Sequence, residues 1–196
     1  MFNEFAPSSN RRRPGLLSNL IMVVGVVAVG VLLTGRAGAS AEAIGESQGL
    51  TVARDRPYWR FCNKCQVMFY TDAPANVCAA GGKHVPQGFE FRLPFGGRET
   101  ATAQANWRCC NKCQTMFFNG YRQKGNCPAG GYHTADNTFR YVLPHTTGGT
   151  ATAQRDWRFC NKCYAMFFDG YPGKGRCPAG GGHAAQGYNF VLPHPR

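Results

Sequence analysis

The residues able to do chemistry in this chain are its cysteines and histidines, and they recur in one fixed order. Three times the sequence presents C-x2-C, then 12 or 13 residues, then C-x5-H. The sets are Cys62, Cys65, Cys78 and His84; Cys110, Cys113, Cys127 and His133; and Cys160, Cys163, Cys177 and His183. A C-x2-C turn aims two thiolates at one ion, and the second pair completes a tetrahedral Cys3His set, the closed arrangement of structural zinc. The expectation is therefore Zn2+, about three ions per chain, one per set. Four protein ligands leave no position for a reacting water, so the metal is expected to staple rather than catalyse. Disulfides are the competing use of cysteines in an exported chain. Three cysteines cannot all pair within a copy, and the recurring histidine has no part in a disulfide. The spacing favours zinc, with disulfides between repeats as the alternative.

Of the 10 cysteines, Cys109 stands outside the sets, where the other copies have Phe61 and Phe159. It reads as a small buried residue in an aromatic slot. His145 and His194 follow Pro144 and Pro193, where copy one has Phe95, and read as solvated turn residues.

The elements that must position these ligands are repeats. Trp59, Trp107 and Trp157 mark them, at intervals of 48 and 50 residues, a period typical of arrays and pseudo-symmetric folds. After each knuckle comes Met68-Phe69-Tyr70, Met116-Phe117-Phe118 or Met166-Phe167-Phe168. Each copy closes with an alternating apolar stretch, Phe89–Leu93, Phe139–Leu143 or Tyr188–Leu192, ended by proline. Period-2 alternation predicts half-buried strands. With 25 Gly, 12 Pro and only 16% charged residues, the composition suits a loop-rich β protein. Copies this short bury little core, which a metal staple remedies; the tryptophans and Met-aromatic pairs are that core. The predicted organisation is a signal peptide over 1–41, a linker over 42–56, and modules over 57–97, 98–148 and 149–196. The fold class is small all-β and metal-stapled: three tandem Cys3His zinc β-modules. The alternative is a single threefold, β-trefoil-like assembly.

Arg11, Arg12 and Arg13 precede an apolar run from Leu16 to Leu33, followed by Ala37, Ala39 and Ala41. That is the signature of an export signal, so the expected location is secreted or cell-surface. Membrane attachment would arise only through an uncleaved N-terminal segment. The net charge is +12, and the chain beyond the signal stays basic, which favours anionic partners.

The pattern W-R-x-C-x-K-C-x-x-M-F-F…G-x-C-P-A-G-G-x-H…F-x-L-P, over residues 59–194, resembles a tandem repeat of secreted bacterial proteins. The resemblance implies export and modularity and supplies no catalytic or binding residues. Copy one departs from it at Ala79, against Pro128 and Pro178, and in a loop one residue shorter.

The loops before the third cysteines carry Tyr121 and Lys124 in copy two and Tyr171 and Lys174 in copy three. A tyrosine face beside polar groups suits stacking on a sugar. The expected function is a non-catalytic binding or structural protein that attaches to an extracellular glycan or anionic envelope polymer. The alternatives are single-stranded nucleic acid stacked on basic zinc modules, which export argues against, and a self-assembling extracellular structural protein. No nucleophile elbow, phosphate loop or open metal site points to an enzyme.

Overall fold

The structure is a computed structural model, described for residues 54–74 and 76–196. The predicted signal peptide and residues 42–53 of the predicted linker lie outside these. Among the described residues there are nine strands and no helix, and so none long and apolar enough to cross a membrane.

Each copy contributes three strands. They are β1 (Arg54–Cys62), β2 (Met68–Tyr70) and β3 (Pro86–Phe95); β4 (Ala103–Cys109), β5 (Met116–Phe118) and β6 (Tyr141–Pro144); and β7 (Ala153–Cys160), β8 (Met166–Phe168) and β9 (Ala185–Pro193). The first strand of each trio is central and antiparallel to the other two. β1 begins at Arg54, within the segment read as linker. In all three copies the register slips just before the tryptophan. There Tyr58, Asn106 and Asp156 take φ of 70°, 67° and 68°. Such a bulge bends the strand and re-aims the following side chain; here the next residue is the fully buried Trp59, Trp107 or Trp157.

Copy two departs from the expected strand over Phe139–Leu143, because β6 starts only at Tyr141. It has one more residue between His133 and Phe139 than copy one has between His84 and Phe89. The surplus is taken up in a turn where the Thr138 N–H donates to Asp136 Oδ1 at 2.9 Å.

The three modules, each with its own ligand set, close on one another. The Tyr70 N–H donates to Gln114 O, Phe118 N–H to Tyr164 O and Phe168 N–H to Gln66 O, each at 2.9 Å. Copy one thus bonds to two, two to three and three back to one. The core follows the same rotation. Trp59 meets Tyr141 edge-on at 5.2 Å, Trp107 meets Phe190 at 5.1 Å and Trp157 meets Phe91 at 5.2 Å. Every tryptophan therefore packs on the next copy, in the edge-to-face geometry that aromatic quadrupoles prefer. The modular and threefold readings describe the same molecule at two levels: local ligand sets around a shared aromatic core.

Candidate metal centres and inter-copy clefts

Each metal centre is built from two tight turns. In the first, the Gln66, Gln114 and Tyr164 N–H groups close onto Cys62, Cys110 and Cys160 carbonyls at 2.8 Å, bringing both knuckle thiols to one side. In the second, the Cys78, Cys127 and Cys177 N–H groups donate to Gly82, Gly131 and Gly181 carbonyls at 2.8 Å. Those glycines take φ of 62–63°, which other residues adopt only with strain. The knuckle lysines clamp the two turns together: Lys112 Nζ donates to Gly130 O and Lys162 Nζ to Gly180 O, both at 2.6 Å.

The twelve predicted ligands assemble as three buried Cys3His groups, with the ligand atoms of each within 4.8 Å of one another. The Sγ atoms of Cys62 and Cys78 are 3.9 Å apart, those of Cys110 and Cys127 3.9 Å, and those of Cys160 and Cys177 4.0 Å. Nδ1 of His84, His133 and His183 lies 3.3, 3.5 and 3.4 Å from the Sγ of Cys65, Cys113 and Cys163. A tetrahedron with Zn–S of ~2.3 Å and Zn–N of ~2.0–2.1 Å has S···S edges of about 3.8 Å and S···N edges of about 3.5 Å. The donor sets fit that ion, and none of the ten cysteines is in a disulfide.

The electrostatics suit a cation as well. Hydrogen bonds from Cys65 and Cys78 hold the Cys62 thiol far below its usual range, and the equivalent bonds act on Cys110 and Cys160. The same bonds, together with burial, push Cys65, Cys113 and Cys163 up. Burial works against charging His84 and His183, but the thiols of Cys62 and Cys78, or Cys160 and Cys177, outweigh it and raise both imidazoles to about 9. Without metal each of these two centres stores a proton on histidine that an ion would displace.

The outer nitrogens of two of the histidines reach across copies. His183 Nε2 lies 3.1 Å from Cys65 O. A carbonyl only accepts, so the proton sits on Nε2 and Nδ1 is left to bind metal. His84 Nε2 is 3.5 Å from Thr115 Oγ1, while His133 Nε2 is buried without a partner. Each ring stacks on the middle aromatic of its own copy: Phe69, Phe117 or Phe167, at 4.6, 4.8 and 4.9 Å. The loops seal the contacts. A Cβ at Gly175 would fall 2.2 Å from Cys65 O, and one at Gly125 2.2 Å from Cys163 O.

Among the described residues, two matched clefts open between copies. One, of about 220 Å³, is walled by Phe118 and Tyr121 of copy two and by Phe159, Gln186 and Tyr188 of copy three. The other, of about 190 Å³, is walled by Phe168 and Tyr171 of copy three and by Phe61, Gln87 and Phe89 of copy one. Position for position the walls correspond. Both are smaller than the ~300–1,000 Å³ of drug-sized pockets and suit one ring or one head group.

No family model, curated protein or solved structure matches this chain.

Tyr121 and Tyr171 stand half-exposed at the cleft mouths, braced edge-on by Phe118 and Phe168 at 5.1 and 5.0 Å. Lys124 Nζ donates to Asn119 O and Tyr121 O, and Lys174 Nζ to Asp169 O and Tyr171 O. Lys174 also pairs with Asp169 at 2.7 Å. The lysines thereby fix the loops that present the tyrosines.

His145 and His194 are not solvated turn residues. Both are buried; His145 stacks on Tyr188 at 3.7 Å and His194 on Phe89 at 3.8 Å. They back the cleft walls from behind, because each strand end lies against the next copy. Cys109 is buried as expected, with its thiol pushed up by burial. Of the cleft walls the sequence pointed only to Tyr121 and Tyr171 and not to Phe61, Phe89, Phe159 or Tyr188; aligning the copies on tryptophan would also have flagged Arg56, which replaces the Gln104 and Gln154 of the other two.

Proposed function

We propose that this is an exported, non-catalytic binding protein of the cell surface or medium, whose zinc-stapled ring is a rigid frame for two clefts that hold an extracellular glycan or cell-envelope polymer. The observation that carries this is the matched pair of aromatic clefts, each with a half-exposed tyrosine at its mouth and two glutamines in its lining. An aromatic face covers the C–H face of a sugar, and amide and phenol groups bond its hydroxyls. Two weak subsites on one rigid body gain avidity on a repeating polymer. The basic charge adds attraction to anionic polymers that fades with salt. Closed four-ligand metal sets support a binding role over a catalytic one.

The test is a pull-down on insoluble cell-wall and glycan preparations at low and high salt. The double variant Tyr121→Ala, Tyr171→Ala should lose the salt-resistant fraction and keep its metal and fold. Undiminished binding by that variant would rule the clefts out.

A further inference from the structure

The ring has three inter-copy junctions, and at one of them the chain fills the position with its own side chain. At the junction of copies one and two, Arg56 stands where the two open clefts have Gln104 and Gln154. Its guanidinium carbon lies over the rings of Tyr70 and Phe139, 4.0 and 3.9 Å from their centroids. Its Nη1 donates to the Tyr141 hydroxyl at 3.4 Å. Among the described residues no carboxylate forms an ion pair with it. Aromatic faces and a phenol hold this charge.

The rings that hold Arg56 are the counterparts of the open cleft walls. Tyr70 corresponds to Phe118 and Phe168, and Phe139 to Tyr188 and Phe89. In the open clefts the counterparts of Arg56 are drawn aside, since Gln104 and Gln154 Oε1 accept from Trp107 and Trp157 Nε1 at 3.1 Å. The space that Arg56 fills at the first junction is left free at the other two. The open clefts are also more aromatic: they have Tyr121 and Tyr171 where copy one has Ala73, and Phe159 and Phe61 where copy two has Cys109.

We infer that each open cleft takes a guanidinium group, seated over its two wall rings as Arg56 is over Tyr70 and Phe139. A flat delocalised cation is attracted by the negative faces of aromatic rings, and is desolvated more cheaply than an ammonium. The inference rests on the clefts being binding sites, as proposed above, and is separable from the ligand being a glycan.

The experiment is an NMR titration of the zinc-loaded chain with Nα-acetylarginine amide, following the ring signals of Tyr121, Tyr171 and Tyr188. The neutral isostere Nα-acetylcitrulline amide is the control, and free arginine is a third arm. The expected result is saturable binding at two sites in the millimolar range, with the citrulline analogue about tenfold weaker. Tyr121→Ala should abolish the shifts at Tyr188 and leave those at Tyr171. Tighter binding of the amide than of free arginine would identify the source as an arginine within a polypeptide; the reverse order would identify a small molecule. No saturable shifts, or equal binding of the citrulline analogue, would overturn the inference. Glycan binding lost in the tyrosine double variant, with no guanidinium response, would overturn it and leave the glycan reading standing. A guanidinium response with no glycan binding would do the opposite.

Discussion

Gly125 and Gly131 belong to the same copy and have nearly the same backbone twist, φ +63° and +62°, yet replacing them with alanine tests different things. A Cβ at Gly131 meets nothing within 4 Å. Gly131→Ala should therefore cost only the left-handed backbone penalty, about 1–2 kcal/mol. A Cβ at Gly125 would lie 2.2 Å from the Cys163 carbonyl oxygen and 2.8 Å from Tyr164 Cβ, both in copy three. Backbone cannot swing aside as a flexible side chain can, so Gly125→Ala adds an overpacking cost of about 1–3 kcal/mol, for a total of about 2–5 kcal/mol. Cys163 is a metal ligand, so the damage should pass to copy three. The assay is denaturant unfolding by tryptophan fluorescence, with pulse alkylation to map exposed thiols. Gly125→Ala should lose more stability than Gly131→Ala and expose Cys160, Cys163 and Cys177. Equal losses, or exposure confined to copy two, would refute the closed ring.

Other expectations follow from the same contacts. His133→Ala should remove one metal ion by native mass spectrometry and lower the melting point of the whole ring in a single transition, because copies one and three share core aromatics with copy two. Gln154→Ala strands the buried Trp157 indole N–H and should cost about 1–3 kcal/mol in denaturant unfolding. In the metal-free protein, His84 and His183 raised to about 9 contribute stability that is complete below the unfolded histidine pKa of about 6.5 and is lost as pH rises through about 9. Metal needs those imidazoles neutral, so the melting-point gap between zinc-loaded and zinc-free protein should widen over that interval, as calorimetry at several pH values would show.

The metal ligands were legible because they are set locally: two turns, each fixed by a few residues, bring four side chains together. The tryptophan core was legible from composition and period. Ring closure was legible only as the threefold alternative, because its bonds join residues such as Phe168 and Gln66, a pairing that no local pattern encodes. The same reason hid His145 and His194. A histidine after a strand-ending proline looks like a turn residue until the next copy's Tyr188 or Phe89 is seen against it. In sequence Lys124 and Lys174 look like cations offered beside an aromatic; in the fold they are tied to their own loop carbonyls, which spacing alone does not reveal.

Three Cys3His centres, each able to hold one ion, staple one closed ring. X-ray absorption on purified protein, combined with metal and thiol counting, tests it most directly. The expected result is three zinc ions per chain, each with three sulfurs at ~2.3 Å and one nitrogen at ~2.0–2.1 Å, and all ten cysteines recovered as thiols after denaturation and chelation. A folded, metal-free protein with the motif cysteines oxidised to disulfides would contradict it.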